Sequence, residues 1–94
     1  MEIKYKVIGE EMIIQLPERV DDEMALDFER ELYCLINQGT NYKTFFNAEN
    51  LEFISRSGLR ALKKLRLEFG DLKMINYKPE VLNFLKDNGY NELV

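Results

Sequence analysis

The segment Tyr42-Lys43-Thr44-Phe45-Phe46-Asn47 is a β-rich run that lies between two stretches of helical periodicity. Before it, apolar residues recur every three or four positions from Met24 to Ile36, which is typical of an amphipathic helix. After a connection over residues 48–57, a second helical pattern runs from Leu59 to Phe69. Because a strand between two helices needs crossover connections, the segment predicts a buried strand of a mostly parallel sheet.

The first helical stretch carries both a start signal and a stop signal. Asp21 or Asp22 can cap its N-terminus, and further acids in its first turn suit the helix dipole. Gly39 is a normal helix stop, and Gly70 has the same role after the second helix. The predicted boundaries therefore rest on residue chemistry as well as on periodicity.

The residues before the first helix predict an antiparallel hairpin. Ile3, Tyr5 and Val7 alternate with lysines, which indicates a strand with one buried face. A second apolar strand, residues 12–16, follows a short turn and ends at Pro17, which cannot donate to a ladder.

The residues after the second helix predict another strand and helix. Residues 72–77 form the strand, Pro79 occupies a favoured first helical position, and residues 92–94 could add a last short strand. The expected order is β-β-α-β-α-β-α with a possible terminal β. We expect residues 1–94 to form a single small α/β domain, mostly parallel with an N-terminal antiparallel hairpin.

Composition excludes several classes of function. The chain has 13 basic and 17 acidic residues, a formal net charge of −4, no histidine and one cysteine. The acidic balance argues against a nucleic-acid binder. Without histidine, the usual general base and the commonest zinc ligand are missing. We therefore expect no enzyme activity, no metal and no cofactor.

The sequence also predicts a cytoplasmic protein without a membrane partner. No apolar run approaches the ~20 residues that span a bilayer. Residues 1–6 alternate like a strand and do not resemble a signal peptide. A single cysteine, Cys34, allows no intramolecular disulfide, which suits a reducing compartment. Its apolar neighbours Leu32 and Leu35 predict that Cys34 packs as a small hydrophobe.

Charge is unevenly distributed along the chain. Residues 18–31 contain seven acids and two bases, whereas residues 55–67 contain five bases and no acid. Arg56, Arg60 and Lys63 or Lys64 recur at intervals of three or four, so they share one helix face. That face is either a surface for an acidic partner or an ordinary solvated face.

The connection over residues 47–59 is the predicted place for chemistry, since ligands gather where parallel strands end and helices begin. Free N–H groups and the helix dipole make it a natural anion site. A phosphate on Ser57 would lie beside Arg56 and Arg60. The residues alone equally allow an ordinary helix cap at the serine and close packing at Gly58.

The segment Phe53-Ile54-Ser55-Arg56-Ser57-Gly58-Leu59-Arg60-Ala61-Leu62 resembles the signature of the STAS domain, the family of bacterial anti-sigma factor antagonists. In that family a hydrophobic pair precedes Asp-Ser-Ser-Gly-Leu or Ser-Ser-Ala-Gly-Leu. Residues 16–21, 76–81 and 88–93 are similar to further family segments in the right order. Asn47 stands at the polar position that closes the family's third strand. The resemblance extends over nearly the whole chain.

This resemblance implies a cytoplasmic switch protein with a STAS-like fold. The unphosphorylated form of such a protein binds an anti-sigma factor that is also an ATP-dependent serine kinase. The kinase phosphorylates the serine before the glycine, here Ser57, and a serine phosphatase restores it. Ser55 stands where the family has an aspartate. The implied partner surface consists of Asp21, Ser55, Arg56, Ser57, Gly58 and Arg60.

Two other functions stay open at this point. The protein could be a constitutive assembly subunit or a homodimer, with Ser57 acting only as a helix cap and a free sheet edge serving self-association. It could also be a small-ligand or nucleotide sensor that uses the helix N-terminus as its anion site.

Overall fold

The computed structural model describes residues 1–94, in which six strands and three α-helices precede a short 3₁₀ helix. The strands are β1 (Tyr5–Ile8), β2 (Glu11–Gln15), β3 (Arg19–Val20), β4 (Lys43–Asn47), β5 (Phe53–Ile54) and β6 (Lys73–Ile75). The helices are α1 (Ala25–Gln38), α2 (Arg56–Phe69), α3 (Pro79–Asp87) and the C-terminal 3₁₀ helix (Asn91–Leu93). Apart from the two-residue strands β3 and β5, the predicted order β-β-α-β-α-β-α is confirmed.

Four strands form the main sheet in the order β1-β2-β4-β6. β1 is antiparallel to β2, whereas β2, β4 and β6 are parallel. Gly9, with φ of 59°, opens the tight turn between Ile8 and Glu11, where a side chain would be strained. The predicted mixed sheet with an N-terminal antiparallel hairpin is therefore confirmed.

The core lies between one face of the main sheet and the helices. Met12 and Ile14 of β2 and Phe46 of β4 are at most 2% exposed. They share one hydrophobic cluster with Phe28 of α1 and Leu62 of α2. Each such side chain stabilises the fold by roughly 1.5–3 kcal/mol relative to an exposed position. The packing of this cluster holds α1 and α2 in place on the sheet.

The prediction of a buried face on the first strand is wrong. Tyr5 and Val7 are 53% and 43% exposed, and only Ile3, before the strand, is buried. β1 is an edge strand, so no further strand covers its outer side. The alternation of apolar and polar residues identifies β1 as a strand. It does not show whether the helices extend far enough to cover the apolar side chains of that strand.

Two further predictions differ from the structure. Residues 92–94 do not form a strand, because residues 91–93 turn into a 3₁₀ helix that buries Leu93 completely. Cys34 is exposed, since the buried stripe of α1 runs through Phe28, Leu32 and Ile36 on another side of the helix. No helix in the fold combines the length and the apolar character that crossing a membrane requires.

Candidate functional site at the start of helix α2

The pairing of β3 with β5 brings two loops together. Val20 and Ile54 are opposite each other in a parallel register. The Ser55 N–H continues the ladder by donating to the Val20 C=O at 2.8 Å, and the Glu52 N–H donates to the Glu18 C=O at 2.8 Å. The loop that follows β3 therefore lies against the start of α2.

Ser55 is the N-cap of α2. Its backbone is extended, its Oγ accepts a hydrogen bond from the Gly58 N–H at 3.1 Å, and its C=O accepts one from the Leu59 N–H at 3.0 Å. The residue is only 8% exposed. The hydroxyl of Ser55 is thus used to satisfy a backbone donor at the helix start.

Ser57 lies two residues after Ser55, inside the first turn of α2, and is half-buried. Its Oγ accepts a hydrogen bond from Nη2 of Arg60 at 3.2 Å. Arg56, directly before it, is exposed. Ser57 is therefore the hydroxyl of this loop that solvent and another protein can reach, and the guanidinium group of Arg60 contacts it.

Gly58 permits a close approach between α2 and the β3–β5 pair. A Cβ at this position would lie 2.8 Å from Cγ1 of Ile54 and 3.0 Å from Cγ1 of Val20, both closer than packed atoms tolerate. The close-packing interpretation of this glycine is confirmed. The contact fixes the distance between Ser57 and the loop that follows β3.

Asp22 reaches the serines from that loop. The pKa of its carboxyl is lowered below the ordinary 3.8, first by hydrogen bonding from the Ser57 hydroxyl and then from Ser55, with a smaller contribution from the charge of Arg60. The Ser57 N–H adds to the same effect. The groups at this helix start, where an anion was expected, thus favour the charged form of the Asp22 carboxylate.

Asp21, the acid singled out from the sequence, makes different contacts. Its Oδ1 accepts a hydrogen bond from the Met24 N–H at 3.0 Å, and its Oδ2 lies 3.8 Å from Nε of Arg19. Met24 itself is the N-cap of α1 and has no side-chain cap. Asp21 therefore closes the turn before α1, and the sequence reasoning missed Asp22, because a two-residue strand gives no periodicity from which to orient its neighbours.

The predicted basic row of α2 is divided among several contacts. Nζ of Lys64 lies 3.9 Å from Oε1 of Glu29 on α1. Nζ of Lys63 lies over the ring of Tyr90 at 5.8 Å from its centroid. Arg60 alone in the row contacts Ser57. The positive charge that contacts Ser57 thus comes from Arg60, one turn into α2.

A row of carboxamides lies at the carboxyl ends of β2, β4 and β6. Nδ2 of Asn47 donates to Oε1 of Gln15 at 3.1 Å, and Nδ2 of Asn76 donates to Oδ1 of Asn47 at 3.2 Å. A surface cavity of about 360 Å³ lies beside this row, and Gln15, Glu52 and Lys78 are among the residues that line it. Nζ of Lys78 lies 3.2 Å from Oε1 of Glu52. Asn47, expected to close its strand, thus ties three strand ends together.

The start of α2 brings together a hydroxyl and a cation. It combines an accessible hydroxyl with a neighbouring guanidinium group, which binds phosphate oxygens well. No group of three or more metal-binding side chains comes together in the structure.

The mixed four-stranded sheet, its three helices and the serine-glycine helix start beside the strand ends resemble solved structures. The structure is similar to that of the anti-sigma factor antagonist SpoIIAA in its unphosphorylated form, with a TM-score of 0.65 and 19% identity over 90% of this chain and 82% of that chain. It is also similar to the Bacillus cell fate determinant SpoIIAA in the phosphorylated form, with a TM-score of 0.61 and 19% identity over 98% of this chain and 87% of that chain. The sequence matches no family profile and no curated protein. The resemblance noted in the sequence is thus confirmed in the fold.

Proposed function

We propose that this chain is a protein-interaction regulator of the anti-sigma factor antagonist type, switched by phosphorylation of Ser57. The observation that carries the proposal is the difference between two neighbouring serines. Ser55 is 8% exposed and its hydroxyl caps α2, whereas Ser57 is half-buried and its Oγ accepts from Arg60. A kinase that recognises this loop therefore finds its acceptor hydroxyl on Ser57.

The switch acts through charge at the first turn of α2. A phosphoryl group adds about −1.5 to −2 charges to Ser57. Arg60 and Arg56 are the cations available to pair with it, and the carboxylate of Asp22 would be repelled. Phosphorylation thus exchanges a hydroxyl–carboxylate contact for a phosphate–arginine contact. A partner surface built across the β3–α1 loop and α2 is lost in the exchange.

The proposed partner surface comprises the loop after β3 and the first turn of α2. Gly58 and Ser55 set the shape of this surface, because both are buried and packed. The accessible groups come from the remaining predicted residues together with the newly found carboxylate: Arg56, Arg60 and Asp22 are exposed, and Asp21 and Ser57 are half-buried.

The partners in this proposal are an anti-sigma factor with serine kinase activity and a serine phosphatase that reverses the modification. Support comes from the similarity to SpoIIAA, whose structure is known in unphosphorylated and phosphorylated forms. On this basis residues 1–94 act as one binding domain in the cytoplasm and not as an enzyme.

The test is a titration of the purified anti-sigma factor kinase of the host with variants of this chain. Ser57→Ala keeps a small neutral side chain and is expected to bind like the wild type. Ser57→Asp is expected to bind at least about tenfold more weakly, because it places a charge beside Asp22. Asn41→Asp is the matched control, since it adds the same charge at an exposed position. Asn41 precedes the N-terminal end of β4, whereas the candidate site follows the C-terminal end of that strand.

Equal affinities of Ser57→Ala and Ser57→Asp would contradict the switch. Loss of binding in Asn41→Asp to the same extent would show that net charge, and not position, is read. Failure of the wild type to bind would contradict the class of partner.

A further inference from the structure

Strand β1 is the open edge of the main sheet. In the order β1-β2-β4-β6, only β1 and β6 lack a neighbouring strand on one side. The C-terminal 3₁₀ helix packs beside β6, whereas all four residues of β1 are exposed. An uncovered edge presents unpaired backbone groups to which another strand can be added.

The backbone groups available on this edge belong to Tyr5 and Val7. The Gln15 N–H donates to the Lys4 C=O at 2.8 Å, so the backbone of Lys4 is directed at β2. In an antiparallel pair, residues directed at the neighbouring strand alternate with residues directed away from it. The N–H and C=O groups of Tyr5 and Val7 therefore point outward.

The side chains of the same two residues make the edge apolar. Tyr5 is opposite Ile14 and Val7 is opposite Met12 in the hairpin, so all four lie on the helix-covered face of the sheet. Met12 and Ile14 are buried, but Tyr5 and Val7 are not. A groove of about 240 Å³ beside them extends to Leu35 of α1. The apolar face of the sheet thus continues past α1 and ends uncovered.

We propose that a second copy of this chain pairs with β1 in antiparallel orientation, with Val7 opposite the partner's Val7. The two sheets then form one continuous sheet about a two-fold axis. Tyr5 comes to lie beside Gly9 in the partner's hairpin turn, where an added Cβ would meet no atom within 4 Å. The tyrosine ring has room there to cover the glycine.

Charge selects this register and favours a second copy as the occupant. Three symmetric registers use the outward groups of Tyr5 and Val7. When the two-fold axis passes through Tyr5, Lys4 lies opposite the partner's Lys6. When the axis passes through Lys6, Lys6 lies opposite the partner's Lys6. Centring on Val7 avoids both and brings Lys4 beside the partner's hairpin turn, where Glu10 is exposed, twice by symmetry. Opposite charges across strands stabilise a pair and like charges destabilise it.

The contact is small, so the dimer is expected to be weak. One added strand buries less than the ~1,200 Å² of a stable interface. We therefore expect a dissociation constant on the order of 10⁻⁴ M, between the micromolar and millimolar values of weak complexes. Sedimentation equilibrium over concentrations on both sides of that value is the measurement. A wild type that stays monomeric throughout overturns the proposal.

Two sets of variants locate the contact. Val7→Pro removes the outward N–H without removing a hydrogen bond to β2, and is expected to raise the dissociation constant at least about tenfold. Val7→Ile keeps the N–H and the branched side chain, and is expected to dimerise like the wild type. Equal dimerisation of both variants would place the contact elsewhere and overturn the proposal.

Charge reversal tests the register without touching the core, since Lys4 and Glu10 are both exposed. Lys4→Glu and Glu10→Lys are each expected to weaken dimerisation several-fold, and the double variant to restore it. A double variant weaker than either single one overturns the register. The inference does not rest on the proposed function, because Ser57→Asp is expected to leave the dimer unchanged.

Discussion

Ser55 and Ser57 are two residues apart, and the first turn of α2 gives each a different environment. The Ser55 hydroxyl accepts from the Gly58 N–H, whereas the Ser57 hydroxyl accepts from Arg60 and lowers the pKa of Asp22. Which serine caps a helix depends on the residue at which the helix begins, and sequence patterns fix that only to within a few positions. The resemblance to the family pattern selected Ser57 as the proposed phosphorylation site, and its half-buried hydroxyl beside Arg60 agrees with that proposal.

Asp22 is the residue whose contribution to stability depends on pH. Its folded-state pKa is lowered from 3.8, first by the Ser57 hydroxyl. The ionised carboxylate therefore stabilises the fold above pH 3.8, and this stabilisation is lost as the pH falls through the lower folded-state pKa. We predict that Asp22→Asn lowers the melting temperature at neutral pH and that the difference from the wild type narrows in acid. Thermal unfolding across this pH range is the measurement.

Asp71→Asn is a suitable control for this experiment. Asp71 is exposed and lies between α2 and β6, outside the contacts of Ser57. Its effect on the melting temperature is expected to be small. A deficit of Asp22→Asn that is the same at every pH would show that the carboxylate is not held by the serines in its charged form.

At the scale of elements, β3 and β5 determine the site although each has only two residues. Two residues cannot display a period, so neither strand was predictable from alternation. Their pairing depends on contacts between segments more than 30 positions apart, such as Val20 with Ile54. By contrast, α1, α2 and α3 are long enough for their apolar spacing to be read, and all three were predicted.

A substitution at Gly58 tests how closely α2 must approach the β3–β5 pair. Helix propensity alone favours Ala over Gly by about 1 kcal/mol. A Cβ here would however lie 2.8 Å from Ile54 and 3.0 Å from Val20, and both side chains are buried. We predict that the steric effect wins, so that Gly58→Ala lowers the free energy of unfolding by about 1–3 kcal/mol in urea denaturation. A stabilised variant would contradict the close approach.

At the scale of the whole molecule, the acidic and basic stretches of the sequence face each other. α1 packs against α2, and Glu29 contacts Lys64 across the pair. Exposed ion pairs of this kind contribute at most about 1 kcal/mol each. The sequence revealed the opposite charges of the two helices, but only their packing shows that much of the basic face is used within the molecule.

The C-terminal residues are part of the core and not a trailing end. Leu93 is completely buried although its segment is a single 3₁₀ turn, and an apolar pair at positions 93 and 94 fits a strand equally well in sequence. We predict that Leu93→Ala lowers the free energy of unfolding by at least about 2 kcal/mol. Leu67→Ala is the matched control, because Leu67 is 77% exposed and its loss is expected to change stability by less than about 0.5 kcal/mol. Similar losses in both variants would contradict this account of the C-terminus.

The most direct test of the account is to locate phosphate on the protein purified from its own host during growth and under stress. Trypsin cuts after Arg56 and separates the two serines, whereas cleavage after glutamate releases residues 53–68 as one peptide that contains both. Fragmentation of that peptide by mass spectrometry assigns the modified hydroxyl. The account predicts phosphate on Ser57 and none on the buried Ser55. Complete coverage of the peptide without phosphate on Ser57 in any condition would contradict it.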